Sequence, residues 1–293
     1  MLSAIQRIVN ALLSPQATRL TDSMTPSIVG IVLVKNEDLH IEQVLCNIQL
    51  FCDKIIIADH LSSDGTADTV NRLCNRFDNI TYHRIKDPSE SHELVSGYAD
   101  TATWIFAVDG DELYDPAGLS ILREKIFAGE FDKWWMLLGN VLHCTEYSRK
   151  EGHAQGYLTP PCRSMTKLYN FSKIDYWKGP CPERLHGGDI SFKDGYSMAN
   201  RLLLYDTMDW ETSFFRCLHF CFMTRSSKDG DRGGQAFIRK NISDINSESI
   251  YRKFLNILPF RPGRDKKPYY KREMYMRGPL VRKATESFFS DPG

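Results

Sequence analysis

The chain has no net charge, since 37 lysines and arginines balance 37 aspartates and glutamates. That balance gives no electrostatic argument for a polyanionic partner, and nucleic acid is not an expected ligand. Long apolar runs are absent too. None reaches the roughly 18 residues of a membrane-spanning helix. There are eight cysteines, at 46, 52, 74, 144, 162, 181, 217 and 221, but no C-x-x-C pair. They sit mostly in apolar segments, as reduced core cysteines of a cytoplasmic protein would; a disulfide framework ranks second and zinc binding last. No internal repeat is visible.

What is present fits a soluble globular chain of 293 residues, with 42% hydrophobic and 25% charged residues. One large domain, or one domain with appended arms, is expected. In residues 1–26, Ile5, Ile8, Val9, Leu12 and Leu13 recur at helical spacing until Pro15 stops the pattern. Residues 1–16 hold one basic residue, Arg7, and no small-residue cleavage site, so this stretch fits a secretory signal poorly. At the other end, residues 261–293 form a basic arm containing Arg261, Arg264, Lys266, Lys267, Lys271, Arg272, Arg277, Arg282 and Lys283. The plain readings are a helix docked on the core and a solvated arm. Peripheral contact with an anionic membrane is the alternative for both. The expected location is cytoplasmic, with or without that contact.

Between the arms, 27–120 alternates strands and helices. "SIVGIVLVKNED" is a β-branched run ended by polar residues, and 39–52 places Leu39, Ile41, Val44, Leu45, Ile48 and Phe51 on one helical face. "DKIIIADHLSSDGT" is a second strand, 64–77 a helix, "NITYHRI" a third strand, 90–102 a helix and "TWIFAVDGDE" a fourth strand. This alternation predicts an α/β fold with a mostly parallel sheet flanked by helices on both faces. Ligands gather beyond the carboxyl ends of such strands. There lie Asn36 and Glu37, then Asp59 and Asp64, then Asp109 and Asp111: three segments converging on one rim. The half from 121 to 260 is looser, and 148–200 mixes Pro, Gly, aromatics and charge as binding loops do.

Carboxylates one residue apart at a strand end suit a hard cation, Mn2+ or Mg2+, held by few protein oxygens and completed by phosphates. The bland alternative is a solvated surface turn. Together, "IVGIVLVKNED", "DKIIIADHLSSDGTADTV" and "WIFAVDGDELYDP" resemble the nucleotide-sugar-binding half of a family-2 glycosyltransferase with the GT-A fold, over residues 27–120. The resemblance implies a nucleotide-sugar donor, a uridine one favoured, and a saccharide or lipid-linked acceptor. It implies that Asn36 and Glu37 lie beside the nucleotide and that Asp59 contacts its base or ribose. Asp109-Gly110-Asp111 matches the DXD motif, with Asp111 a metal ligand and Asp109 facing ribose or metal. Glu112 and Asp115 would only solvate the turn. Two features depart from the family: Asp59-His60 replaces an Asp-Asp pair, and no Arg-Asn precedes the DXD strand.

Such enzymes invert the anomeric centre with a carboxylate base. Glu183 in "WKGPCPERLHGG" is the candidate, with Asp175, Asp189 and Asp194 as rivals and a loop ion pair to Arg184 as the alternative role. The resemblance also implies a late histidine at the metal or diphosphate, which "RCLHFCFMTRSSKDGDRGG" offers as His219; a core histidine is the plainer reading. Arg225, Lys228 and Arg232 beyond it would close over a diphosphate. Trp134, Trp135, Tyr157, Tyr176 and Trp177 could stack on sugars or fill the core. A haloacid-dehalogenase-type phosphotransferase is a rival, but its D-x-D stands on the first strand. A nucleotidyltransferase needs a Gly-rich, Arg-containing loop that "VKNED" is not. A non-catalytic nucleotide-sugar or carbohydrate binder would keep the rim and dispense with the base.

Overall fold

The β-branched runs of the first half pair as adjacent parallel strands because each is apolar on both faces. In the computed structural model, which describes residues 25–87, 90–162, 166–178, 185, 188–229 and 275–289, β1 (Ser27–Val34) lies between β2 (Lys54–Asp59) and β4 (Thr103–Asp109). Outside β2 runs β3 (Ile80–Arg84), again parallel. Alternation along β1 and β4 divides the core. Ile28, Val32, Val34, Trp104, Phe106 and Val108 face one side; Val29, Ile31, Leu33, Ile105 and Ala107 face the other.

The first side is covered by α1 (Ile41–Ile48), α2 (Thr66–Arg76) and, further along the chain, α4 (Pro116–Phe127). In α1 the buried positions are Ile41, Val44, Leu45 and Ile48, one stripe at helical spacing. The second side takes α3 (Glu90–Ser96) through Val95, together with Trp135, Tyr169 and Trp177. The expectation of a mostly parallel sheet flanked by helices on both faces is met.

The remaining strands are arranged around a change of sheet. After β4 the chain turns at Gly110 and Asp111 and enters a second sheet as β5 (Glu112–Tyr114). Similarly β6 (Met136–Leu138) belongs to the first sheet and β7 (Asn140–Ser148) to the second, with only Gly139 between them. A Cβ on Gly139 would run into the Phe215 carbonyl, so the crossing point admits no side chain. β8 (His153–Thr159) pairs with β7, and β9 (Lys167–Asn170) lies antiparallel between β4 and β6.

A ribbon of β10 (Ile174–Lys178) and β11 (Asp189–Phe192) packs Trp177 against Trp135, with Tyr169 beside both. Trp135 and Trp177 are therefore core residues, and Trp134 packs partly buried against the core; Tyr157 and Tyr176 are half-buried. β12 (Arg201–Leu203) closes the seven-stranded sheet, in the order β12-β6-β9-β4-β1-β2-β3. β13 (Arg216–His219) and β14 (Leu280–Ala284) complete the five-stranded sheet β14-β8-β7-β13-β5. β13 is only four residues long, and turns follow it.

The stretch expected as a basic arm from 261 onward enters the second sheet through β14, where it pairs with β8. There Arg282 donates to His153 Nδ1 at 2.9 Å and Lys283 pairs with Glu211 at 2.5 Å. The expected amino-terminal helix, and the arm's residues before 275, lie outside the described residues. Among the described residues no helix is long and apolar enough to cross a membrane.

Asp115 ties the layers together. Its carboxylate caps α4 at the Gly118 amide and accepts two hydrogen bonds from the Arg216 guanidinium in β13, at 3.0 and 2.6 Å. Ser287 reaches the same carboxylate at 3.3 Å. Both partners are largely buried, so removing one leaves an uncompensated charge. Asp115→Ala should lower unfolding stability by about 3–5 kcal/mol in urea titrations. Glu42→Ala, which breaks the exposed pair with Arg72, should leave the midpoint nearly unchanged.

Candidate functional site

The parallel register brings the strand ends level: Val34 of β1 lies opposite Asp59, and Leu33 opposite Asp109. Beyond them the chain is locked to its neighbours. Asn36 adopts a left-handed backbone with φ of 53°, a conformation asparagine tolerates better than most residues. Its amide donates to Ser62 Oγ at 2.8 Å, and its side-chain oxygen accepts from the Ser63 amide at 2.7 Å. The Glu37 amide donates to Thr66 Oγ1 at 2.8 Å. Asp59 is fully buried, accepting from the Ser62 amide at 2.8 Å and from the Tyr82 hydroxyl at 2.5 Å. Burial, with help from the Asp59 carboxylate, pushes the Tyr82 phenol well above its ordinary range. Asp59 thus holds the second strand's turn from inside the protein.

The turn between the two sheets carries the densest charge. At Gly110 an added Cβ would collide with Glu37 Oε2 and with Val34, so the residue between the two aspartates must be glycine. Asp111 is fully buried. Arg225 Nη1 donates to its Oδ2 at 2.8 Å and stands 3.4 Å from Glu37 Oε1. Its Oδ1 is buried and accepts no hydrogen bond among the described residues; His219 Nε2 faces it at 3.5 Å. Burial alone would raise the Asp111 pKa, but Arg225, His219 and His40 outweigh it and hold the carboxyl well below the usual carboxylate range. Burial likewise opposes charge on Arg225, which Asp111 and Glu37 more than restore. It also opposes charge on His219, yet the Cys221 sulfur and Asp111 keep that imidazole's pKa well above its ordinary value.

Glu112 does not solvate the turn, contrary to expectation. It is buried, its Oε2 accepting from the Asp109 amide at 3.1 Å and from the Tyr114 hydroxyl at 2.7 Å. Asp115 is equally far from a solvating role, being the buried cap already described. In the second sheet His219 lies directly opposite Glu112 on one side and His143 on the other. Ligand atoms of Asp109, Glu112 and His219 come within 4.8 Å of one another. Carboxylate oxygens with one imidazole suit a hard divalent cation, and the buried, unbonded Asp111 Oδ1 points to the same donor set. The residues present therefore fit Mn2+ or Mg2+.

A late segment locks over the first-strand loop. The Leu39 amide donates to the Arg225 carbonyl at 3.2 Å, and the Ser227 amide to Asp38 Oδ1 at 2.8 Å. The Ser226 hydroxyl reaches Asp64 Oδ2 at 2.5 Å, while Lys228 Nζ donates to the Ser63 carbonyl. His40 donates from Nε2 to the Thr224 carbonyl at 3.0 Å and stacks on Phe220. Burial lowers the His40 pKa, with Asp111 opposing it. Arg225 is thereby held by backbone as well as by side chain.

Of the expected site residues, Glu37, Asp109, Asp111, His219 and Arg225 come together, with Asn36 and Asp59 on the adjoining strand ends. Glu183 and Arg232 lie outside the described residues. Its rivals Asp175, Asp189 and Asp194 are exposed; Asp175 accepts from Ser191, and Asp189 from Tyr176 at 3.4 Å. Sequence reading missed Glu112, His143 and Asp38. One signal was available for His143: like His219, it sits after a leucine within an apolar strand, as Leu142-His143 and Leu218-His219.

No family model matches the chain. Two curated relatives are each 34% identical over 94 residues: glycosyltransferase SunS of Bacillus phage SPbeta, and the SPbeta prophage-derived glycosyltransferase SunS of Bacillus subtilis (strain 168). The match takes in 31% of this chain and spans 22% of the length of either relative. Solved structures that overlap the chain include mannosyltransferase PcManGT from Pyrobaculum calidifontis, in complex with GDP-Man and Mn2+, at 21% identity and a TM-score of 0.31 over 51% of this chain and 44% of that one. S. aureus TarS overlaps at 16% identity and a TM-score of 0.37, over 52% and 30% of the two chains. Glucosyl-3-phosphoglycerate synthase from Mycobacterium tuberculosis, with Mn2+, UDP-Glc and phosphoglyceric acid, overlaps at 16% identity and 0.33, over 50% and 57%. The curated likeness is to a glycosyltransferase, in agreement with the family that the strand-end motifs resemble.

Proposed function

We propose that the protein is a metal-dependent glycosyltransferase of GT-A type that moves a sugar from a nucleotide-diphospho-sugar, a uridine one favoured, to a saccharide or lipid-linked acceptor. One observation carries this reading: Asp109, Glu112 and His219 meet where the chain changes sheets, at the carboxyl ends of parallel strands, with Asp111 Oδ1 facing His219 at 3.5 Å. A non-catalytic sugar-nucleotide binder would use the same rim.

Asp109, Asp111, Glu112 and His219 would hold the cation. When bound, a divalent cation supplies positive charge that stabilises a departing diphosphate. Arg225, fixed against Asp111 and Glu37, adds a guanidinium suited to phosphate oxygens. Asn36 and Glu37 edge the nucleotide pocket, and Asp59 supports that edge from within. Inversion requires a base on the face opposite the diphosphate. Glu183, with Asp175, Asp189 and Asp194 as rivals, is assigned the acceptor hydroxyl proton, and Arg232 the outer diphosphate. The irregular stretch at 148–200 would select the acceptor.

A thermal-shift screen of nucleotide sugars with and without Mn2+ tests the donor and the metal together, because a ligand that binds only the native state raises its melting point. The expected result is a shift with a UDP-sugar plus Mn2+ that Asp111→Asn abolishes. An undiminished, metal-dependent shift in Asp111→Asn would remove the cation from this rim.

For the base, Glu183→Gln should keep donor affinity while transfer falls by about 10²–10⁴-fold, the usual range for a general base. Transfer is read as sugar incorporated into acceptor. Wild-type turnover in Glu183→Gln would pass the role to one of the rival aspartates. Donor binding without transfer to any acceptor in the wild type would favour the non-catalytic binder.

A further inference from the structure

Behind the carboxylate rim lies a second group of side chains that shares only His219 with it. His143 and His219 occupy paired positions on adjacent parallel strands, and their Nδ1 atoms approach to 3.0 Å. Cys221 Sγ stands 3.6 Å from His143 Nδ1. One nitrogen from each ring and the sulfur all lie within 4.8 Å of one another. Both rings are buried, and Tyr275 packs edge-on against them.

The outer nitrogens are also engaged. His143 Nε2 lies 3.1 Å from Thr159 Oγ1, and His219 Nε2 faces Asp111 Oδ1 at 3.5 Å. Metal-bound histidines characteristically turn the second ring nitrogen to a hydroxyl, carboxylate or carbonyl, which fixes the ring so that the first nitrogen meets the ion. Here both rings are fixed with Nδ1 turned inward, toward the sulfur.

Distances agree with a small tetrahedral ion. Zinc–nitrogen bonds of about 2.0–2.1 Å and zinc–sulfur bonds of about 2.3 Å put neighbouring donors about 3.3 Å apart for two nitrogens and about 3.6 Å for nitrogen and sulfur. The observed 3.0 and 3.6 Å lie close to those edges without an ion's help. A thiolate with two imidazoles is a softer set than the carboxylates of the rim, so the two places would select different metals.

We propose that His143 Nδ1, His219 Nδ1 and Cys221 Sγ form a binding site for a zinc-class divalent cation, separate from the carboxylate rim except for the shared His219 ring. The proposal runs against the last rank that the missing C-x-x-C pair gave to zinc. Three protein donors leave a fourth tetrahedral position for water or another ligand. Binding displaces the proton of the Cys221 thiol and that of His219 Nδ1 to solvent, while His219 Nε2 keeps its proton toward Asp111. The site stands whether or not the protein transfers sugars.

Titration with Co2+, which reports sulfur ligation through a near-ultraviolet charge-transfer band, tests this directly. The band should appear in the full-length protein, disappear on addition of Zn2+, vanish in Cys221→Ser and persist in Asp111→Asn. Co2+ bound without the band, or a band unchanged in Cys221→Ser, overturns the proposal. Loss of the band in Asp111→Asn would overturn its separation from the rim. Should Cys221→Ser fail to fold, alkylation of Cys221 in the wild type, mapped by mass spectrometry, decides instead. Zn2+ should protect that thiol, and equal labelling with and without Zn2+ refutes the site.

Discussion

A carboxylate with no exposed surface stands at the end of a buried strand, and the arrangement of the rest of the site follows from it. Asp111 cannot ionise there alone, because the low dielectric that surrounds it favours the neutral acid. Its charge is sustained by groups that arrive more than a hundred residues later, Arg225 and His219. His219 is buried and Arg225 largely so, and each depends on Asp111 in return. A trio of this kind is costly if one member is missing, so it commits the end of β13 and the following turn to one position over the first strand's loop.

The second constraint is geometric. The chain changes sheets twice, at Gly110 and at Gly139, and at both points a Cβ would strike a neighbour. Those crossings let β5 and β7 flank β13, which sets His219 between Glu112 and His143. The hard oxygen donors and the softer nitrogen and sulfur donors are thus separated by one imidazole ring. Asp115 and Arg216 hold the same strand from its other end, so the position of His219 is set from both directions.

The first half of the chain was legible because local pattern and tertiary role coincide there. Apolar runs ending in Asn36, Asp59 and Asp109 could only be buried parallel strands with polar tips, and the register aligns those tips. The neighbouring acids were less readable. "DGDELYDP" gives no local sign that Asp111 and Asp115 turn inward, since their partners Arg225, His219 and Arg216 lie far along the chain. Asp59 shows the converse limit: its position at the rim was legible, but not that Tyr82 and the Ser62 amide occupy both its oxygens. His143 stayed hidden because a histidine within an apolar strand reads as core until its partner strand is known.

His219 joins the two halves of the site through the chemistry of one ring. A metal binds this ring only after displacing a proton that its raised pKa retains, and the neutral imidazole then has a single lone pair on one nitrogen and keeps a proton on the other. Its Nε2 faces Asp111 and its Nδ1 faces His143, so the neutral ring can ligate on one side only. A cation taken at Nδ1 leaves Nε2 protonated and directed at Asp111 Oδ1, where the proton occupies the face that a rim cation would need. A cation taken at Nε2 leaves Nδ1 as a donor to His143 and closes the softer set. The two proposed cations therefore compete for His219 while sharing no other donor. By linkage, each must weaken the other's binding by the same factor, an antagonism that follows from the proton count of one ring.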